Sequence, residues 1–122
     1  MRATISKTFD FAASHRLDGL PEDHPCSRLH GHNYVVKVTI TGDVDPVGFV
    51  IDYRQLAPVK TYLDEKLDHR HLNDVLDFNP TAEHLAAHLA GHVRTLVPGI
   101  TYAHEVTVAV SETPKTWAEV SG

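Results

Sequence analysis

Apolar side chains fall on alternate positions between residues 2 and 13, at Ala3 and Ile5 and then at Phe9, Phe11 and Ala13. A two-residue period sets them on one face of an extended chain, which predicts a strand ending near Ser14-His15. Residues 16–29 contain Asp18-Gly19, Pro21 and Pro25, which punctuate a loop. From 32 to 41 the alternation returns, with Tyr34, Val36, Val38 and Ile40 on one parity and Asn33, Val35, Lys37 and Thr39 on the other. Gly42-Asp43 closes this second strand. The two strands are expected to pair antiparallel across the loop, which carries His15 toward His30 and His32.

The period then changes. A turn at Asp45-Pro46 and Gly48 leads into a short extended piece, Phe49-Val50-Ile51, and Asp52 fits a helix N-cap. Leu56, Val59, Tyr62, Leu63 and Leu67 form a helical stripe, followed by a connector over residues 68–79. Pro80-Thr81-Ala82-Glu83 opens a second helix with Leu85, Leu89, Val93 and Leu96 on its apolar side, stopped by Pro98-Gly99. A third strand spans 104–110 and a short fourth 116–120. The ββααββ order predicts an α+β fold, an antiparallel four-stranded sheet with both helices on one face. Such a sheet leaves open edges, so pairing with another copy of the chain is expected.

Composition narrows this little. At 122 residues the chain reads as a single domain over 1–122, and 42% hydrophobic with 22% charged residues is ordinary for a globular protein. A net charge of -5 supplies no basic footprint, so nucleic acid is not an expected partner. The N-terminus alternates without a signal-type apolar core, and no apolar run reaches membrane-spanning length, so no membrane association is expected. One cysteine forbids an internal disulfide and suits a reducing, cytoplasmic location. Ten histidines are the oddity, and they direct attention to metal.

The segment Cys26-Ser27-Arg28-Leu29-His30-Gly31-His32 concentrates the chemistry. His30 and His32, two apart at a strand start, share one face, and the pairing above brings His15 to them. Singly, each would be read as a surface or hydrogen-bonded histidine. Together they predict a zinc site with an open coordination position, the arrangement of catalytic zinc, although three imidazoles accept other divalent ions too. Cys26 could be a small buried hydrophobe. Its loop position between Pro25 and Ser27, beside Arg28 and a metal, favours a partly exposed, reactive thiol serving as base or nucleophile.

Three further features admit both a chemical and a plain structural role. Asp68-His69 suits a carboxylate-oriented imidazole relaying protons, although a histidine at a helix C-terminus also satisfies the dipole, and His71 competes for the role. His84, His88 and His92 fall at i, i+4 and i+8 on one helix face, where no carboxylate completes a metal set. They read as a partly exposed face, with a second metal as the less favoured reading. Glu112, at the end of the third strand, is either surface charge or an acceptor for two N–H groups of a guanidine-like ring edge.

In order along the chain stand Phe11-Ala12-Ala13-Ser14-His15, Cys26-x-x-x-His30-Gly31-His32, Leu67-Asp68-His69 with Leu72-Asn73, Asn79-Pro80-Thr81-Ala82-Glu83, and Ser111-Glu112-Thr113. With these motifs the chain resembles the 6-pyruvoyl-tetrahydropterin synthase family over nearly its whole length. The Cys-x-x-x-His-Gly-His spacing and the compact length look like its bacterial branch, which makes 6-carboxytetrahydropterin. The resemblance implies the tunnelling fold (T-fold), with trimers stacked in pairs as a hexamer and active sites between subunits. It implies zinc on His15, His30 and His32, Cys26 as base, Asp68 and His69 as proton relay, and Glu112 as anchor of the pterin ring. Thr81 and Glu83 fall where the family contacts the pterin or supports its pocket. The implied substrate is 7,8-dihydroneopterin triphosphate, converted to 6-carboxy-5,6,7,8-tetrahydropterin, acetaldehyde and triphosphate for queuosine or another deazapurine. Pyruvoyl-tetrahydropterin formation without carbon–carbon cleavage is the alternative. Arg28 matches no motif, but its guanidinium suits the triphosphate.

Overall fold

In the computed structural model, which describes residues 1–122, one sheet carries the whole architecture. Its strands are β1 (Arg2–His15), β2 (His30–Asp43), β3 (Arg70–His71), β4 (Glu105–Thr113) and β5 (Thr116–Ser121), in the order β3-β1-β2-β4-β5. The helices are α1 (Ala57–Lys66), the single turn α2 (Leu72–Val75) and α3 (Ala82–Leu96). Asp52 caps as expected, but through Arg54 N–H, and what it caps is a 3-10 turn over Tyr53–Leu56 that runs into α1.

The sheet has five strands where the alternation predicted four, and it is mixed. β3 runs parallel to β1, with Ala13 opposite Arg70 and Ser14 opposite His71; every other pair is antiparallel. Two residues are too few for a period to register in sequence. β3 and α2 both sit inside the stretch read as connector. β2 also starts two residues before its apolar alternation, because the inward positions there are histidines.

Register explains the core. On the helix-covered face Phe9 pairs with Val36 and Val36 with Val110; Ile5 pairs with Ile40 and Ile40 with Val106. Val59, Leu63 and Leu67 at α1, and Leu85, Leu89 and Val93 of α3, close over these columns. Phe11 stacks on the fully buried Tyr34 at 4.7 Å between ring centroids. Leu63 is fully buried, so Leu63→Ala is expected to cost about 2–5 kcal/mol, read as a lower urea midpoint at unchanged slope.

Candidate metal centre

The inner columns of β1 and β2 do not end in hydrocarbon. Continuing past Phe11 and Tyr34, the next inward pairs are Ala13 opposite His32 and His15 opposite His30. Strand pairing alone thus sets three imidazoles on one face, as predicted. Val110 lies opposite Val36, and Glu112 is one inward step further along β4, on Tyr34's side. A β-bulge between Val110 and Thr113 interrupts the pairing with β5 at that point.

The Nε2 atoms converge. His15 Nε2 lies 3.0 Å from His30 Nε2, and Glu112 Oε2 lies 3.3 Å from His15 Nε2 and 3.0 Å from His32 Nε2. All four ligating atoms fall within 4.8 Å of one another. A tetrahedral ion with bonds of about 2.0–2.1 Å needs ligand pairs roughly 3.3 Å apart, so the spacing suits one small cation.

The outer nitrogens decide the tautomers. His15 Nδ1 is 2.8 Å from the Pro80 carbonyl oxygen, and His30 Nδ1 is 2.7 Å from that of Arg28. A carbonyl only accepts, so each Nδ1 carries a proton, and in the neutral tautomer that this selects the lone pair of Nε2 faces inward. Two lone pairs 3.0 Å apart repel unless a cation lies between them. His32 Nε2 is buried with no aligned hydrogen bond, its approach to Glu112 being a contact of charge rather than a directed bond. These are the features of a donor set made for a divalent metal, held by carbonyl partners of the kind that orient metal-bound histidines.

Electrostatics agree. Burial is the largest cause lowering the His32 pKa, outweighing the Glu112 charge that raises it; His15 and His30 lower it further. Glu112 is held below its ordinary value, because any imidazole of the centre that takes up a proton, His15 first, favours its carboxylate, against its own burial. Burial and the Glu112 charge both push the Tyr34 phenol upward, so it stays protonated 3.1 Å from His15 Nδ1. Tyr34 and the Pro80 carbonyl were not recognised as site components in the sequence. Tyr34 read as a core position, and a backbone carbonyl leaves no residue-type signal.

The proposed relay pair is assembled. Asp68 Oδ1 accepts the Ala12 N–H at 2.8 Å and Oδ2 accepts His69 Nδ1–H at 2.8 Å. The Ala12 N–H is the first cause and His69 the second holding this carboxyl below its usual range. His69 has φ 58°, a left-handed conformation that costs a non-glycine residue about 1–3 kcal/mol, and its N–H is tied to the Ala12 carbonyl at 2.6 Å. Its ring is 83% exposed. His69, His71 and His32 line one open cleft of about 490 Å³. His71 Nδ1 is engaged with Ser14 Oγ at 3.0 Å, so of the two rings only His69 is paired with a carboxylate.

The remaining candidates separate into other surroundings. Cys26 is half-buried in a 3-10 turn over Pro25–Ser27, and no hydrogen bond joins its thiol to the imidazoles. Thr81 caps α3, its hydroxyl accepting the His84 N–H at 3.1 Å. Glu83 shares a small cleft of about 210 Å³ with Glu112 and Trp117. Arg28 lines a different cleft of about 460 Å³ with Arg16, Asp18 and Glu22. The helix histidines each have a partner of their own: His84 Nδ1 donates to the Asn79 carbonyl, His88 Nε2 meets Tyr62 Oη at 2.7 Å, and His92 Nδ1 donates to the His88 carbonyl, with the His88 and His92 rings 4.3 Å apart beside Tyr62. The plain reading of that stripe holds.

Fold and centre together define an α+β protein whose sheet core ends in a donor set fit for a metal ion. Residues 4–122 match the family described as 6-pyruvoyl tetrahydropterin synthase, and the chain belongs to that family. It is 32% identical over 99 residues to a dihydroneopterin monophosphate aldolase of Pyrococcus furiosus, covering 81% of this chain and 82% of that protein. It is 29% identical over 136 residues to a 6-carboxy-5,6,7,8-tetrahydropterin synthase of Rickettsia bellii, covering 94% and 97%. Among solved structures, 6-pyruvoyl tetrahydropterin synthase of Caenorhabditis elegans superposes with a TM-score of 0.84 at 29% identity, over 100% of this chain and 96% of that one. The fold is therefore the tunnelling fold, and the relatives are pterin-processing enzymes.

Proposed function

We propose that this protein is a zinc-dependent 6-carboxy-5,6,7,8-tetrahydropterin synthase acting on 7,8-dihydroneopterin triphosphate. The observation that carries the reading is the convergence of three imidazole Nε2 atoms beside a cleft lined by His32 and by His69, the ring that Asp68 holds. Relatives named for a carboxy synthase, a pyruvoyl synthase and an aldolase lie at similar identity. The choice of product therefore rests on the Cys-x-x-x-His-Gly-His spacing.

His15, His30 and His32 would hold the zinc, which when bound polarises side-chain oxygens of the substrate and acidifies the neighbouring C–H. Cys26, as thiolate, takes a proton from the pterin side chain. His69, oriented by Asp68, delivers or accepts a proton further along that chain. Glu112 lies between the centre and the small cleft, where its carboxylate can accept N–H groups of the ring edge, with Glu83 lining the same cleft. Thr81 supports this end of the pocket by fixing the start of α3. Arg28 meets the triphosphate. The two-residue edge strand β3 and the short edge strand β5 are the seams along which trimers would close and stack as a hexamer.

The test is turnover of dihydroneopterin triphosphate by protein of measured metal content, with mass analysis of products. Acetaldehyde and 6-carboxytetrahydropterin are expected, lost on chelation and restored by zinc. Triphosphate without acetaldehyde would assign the pyruvoyl reaction. Bound zinc without any turnover would sink the enzymatic reading.

A further inference from the structure

Two motif residues that the proposed chemistry leaves unused, Asn73 and Asn79, hold the loop leading from His15 toward Cys26. Asn73 Oδ1 accepts the Arg16 N–H at 2.9 Å while its Nδ2 donates to the Arg16 carbonyl at 2.9 Å. Asn79 repeats the pattern on Asp18, with Oδ1 accepting the N–H at 2.9 Å and Nδ2 donating to the carbonyl at 3.1 Å. A planar amide offers one acceptor and two donors side by side, so each asparagine can take both backbone groups of one residue, as a neighbouring strand would. In extended chain the groups of residues i and i+2 leave by the same edge, and those of i+1 by the other. Leu17, between the two clamped residues, donates its N–H to the Cys26 carbonyl at 2.9 Å.

We infer that Asn73 and Asn79 are positioning residues for Cys26, acting through Arg16, Leu17 and Asp18. The three residues behave as an extension of β1, held on one edge by side-chain amides and gripping the cysteine turn with the other. The turn is further closed on itself by Cys26 N–H to His24 Nδ1 at 3.1 Å and by Ser27 Oγ to the carbonyls of Glu22 and His24. The Leu17 bond is therefore what ties a self-contained turn back to β1. Release of the clamp lets the thiol drift relative to the imidazoles, and a drift of about 1 Å can cost 100-fold in rate. The inference rests on the reading of Cys26 as the base.

Cys26 is the sole thiol, so its alkylation by iodoacetamide reports its setting with no need of substrate. Asn73→Ala is expected to change the alkylation rate constant by at least about threefold. It should also lower kcat about tenfold or more, with KM and zinc content within about twofold. In a Cys26→Ala background the same substitution should lower kcat no further, because the group it positions is gone. An unchanged alkylation rate, or an equal further loss in that background, overturns the inference and leaves the clamp a purely structural tie. If Asn73→Ala does not fold, Asn73→Asp, which keeps the acceptor for Arg16 N–H, and Asn79→Ala carry the same comparison. If the wild type turns over no pterin, the functional reading fails while the alkylation rates still decide the clamp.

Discussion

His15→Ala is expected to leave the protein without stoichiometric zinc and without measurable turnover. The side chain is fully buried, and its two nitrogens have separate tasks: Nδ1–H satisfies the Pro80 carbonyl and Nε2 faces the centre. Loss of a partner that merely orients a metal ligand costs about 10–100-fold in metal affinity, so loss of the ligand itself should exceed 100-fold. Stability should fall as well, because the Pro80 carbonyl is left without a donor, at about 1–3 kcal/mol. His30→Ala separates the two effects. Its ring is only partly buried and its Nδ1 partner, the Arg28 carbonyl, lies nearer solvent, so metal should be lost with a smaller stability change. Metal content by mass spectrometry and melting temperature with and without zinc are the measurements. Wild type should melt higher with zinc and His15→Ala should not respond. Full zinc occupancy in His15→Ala would remove this histidine from the ligand set.

Cys26→Ala should lower turnover of dihydroneopterin triphosphate by about 10²–10⁴, the range attached to a positioned acid or base, while zinc content stays at the wild-type level. The two variants thus fail differently, His15→Ala through the metal and Cys26→Ala through proton abstraction alone. Measuring triphosphate release together with zinc separates a lyase from a metal hydrolase, in which an activated water does the work and the thiol is idle. Wild-type triphosphate release by Cys26→Ala would establish the hydrolase and retire the thiolate.

The match between pattern and structure is uneven for physical reasons. The inward parity of Phe9, Phe11, Tyr34, Val36, Val38 and Ile40 was readable because strand burial repeats every two residues. The stripe Val59, Leu63, Leu67 was readable at the helical period. The arrival of His15 at His30 followed from one antiparallel pairing across the loop over residues 16–29. β3 was not readable, because two residues hold no period and its pairing depends on the Ala12–Asp68–His69 contacts. Nor was the position of Glu112: the sequence suggested a ring anchor, and the structure sets its carboxylate against His15 and His32 as well. That placement depends on how β4 registers on β2, from a different part of the chain.

Sequence alone determined the α+β layering, the shared face of His30 and His32, and the presence of a thiol, a carboxylate–imidazole pair and a late glutamate, since each is local in composition or period. Only the tertiary structure decided which of these meet. Nδ1 of His15 finds a carbonyl 65 residues away, Asp68 reaches Ala12 across 56, and Asn73 and Asn79 reach the loop after His15 across 57 and 61. Such contacts are set by register and by which backbone groups the fold leaves to be paired by side chains, and no local pattern records them.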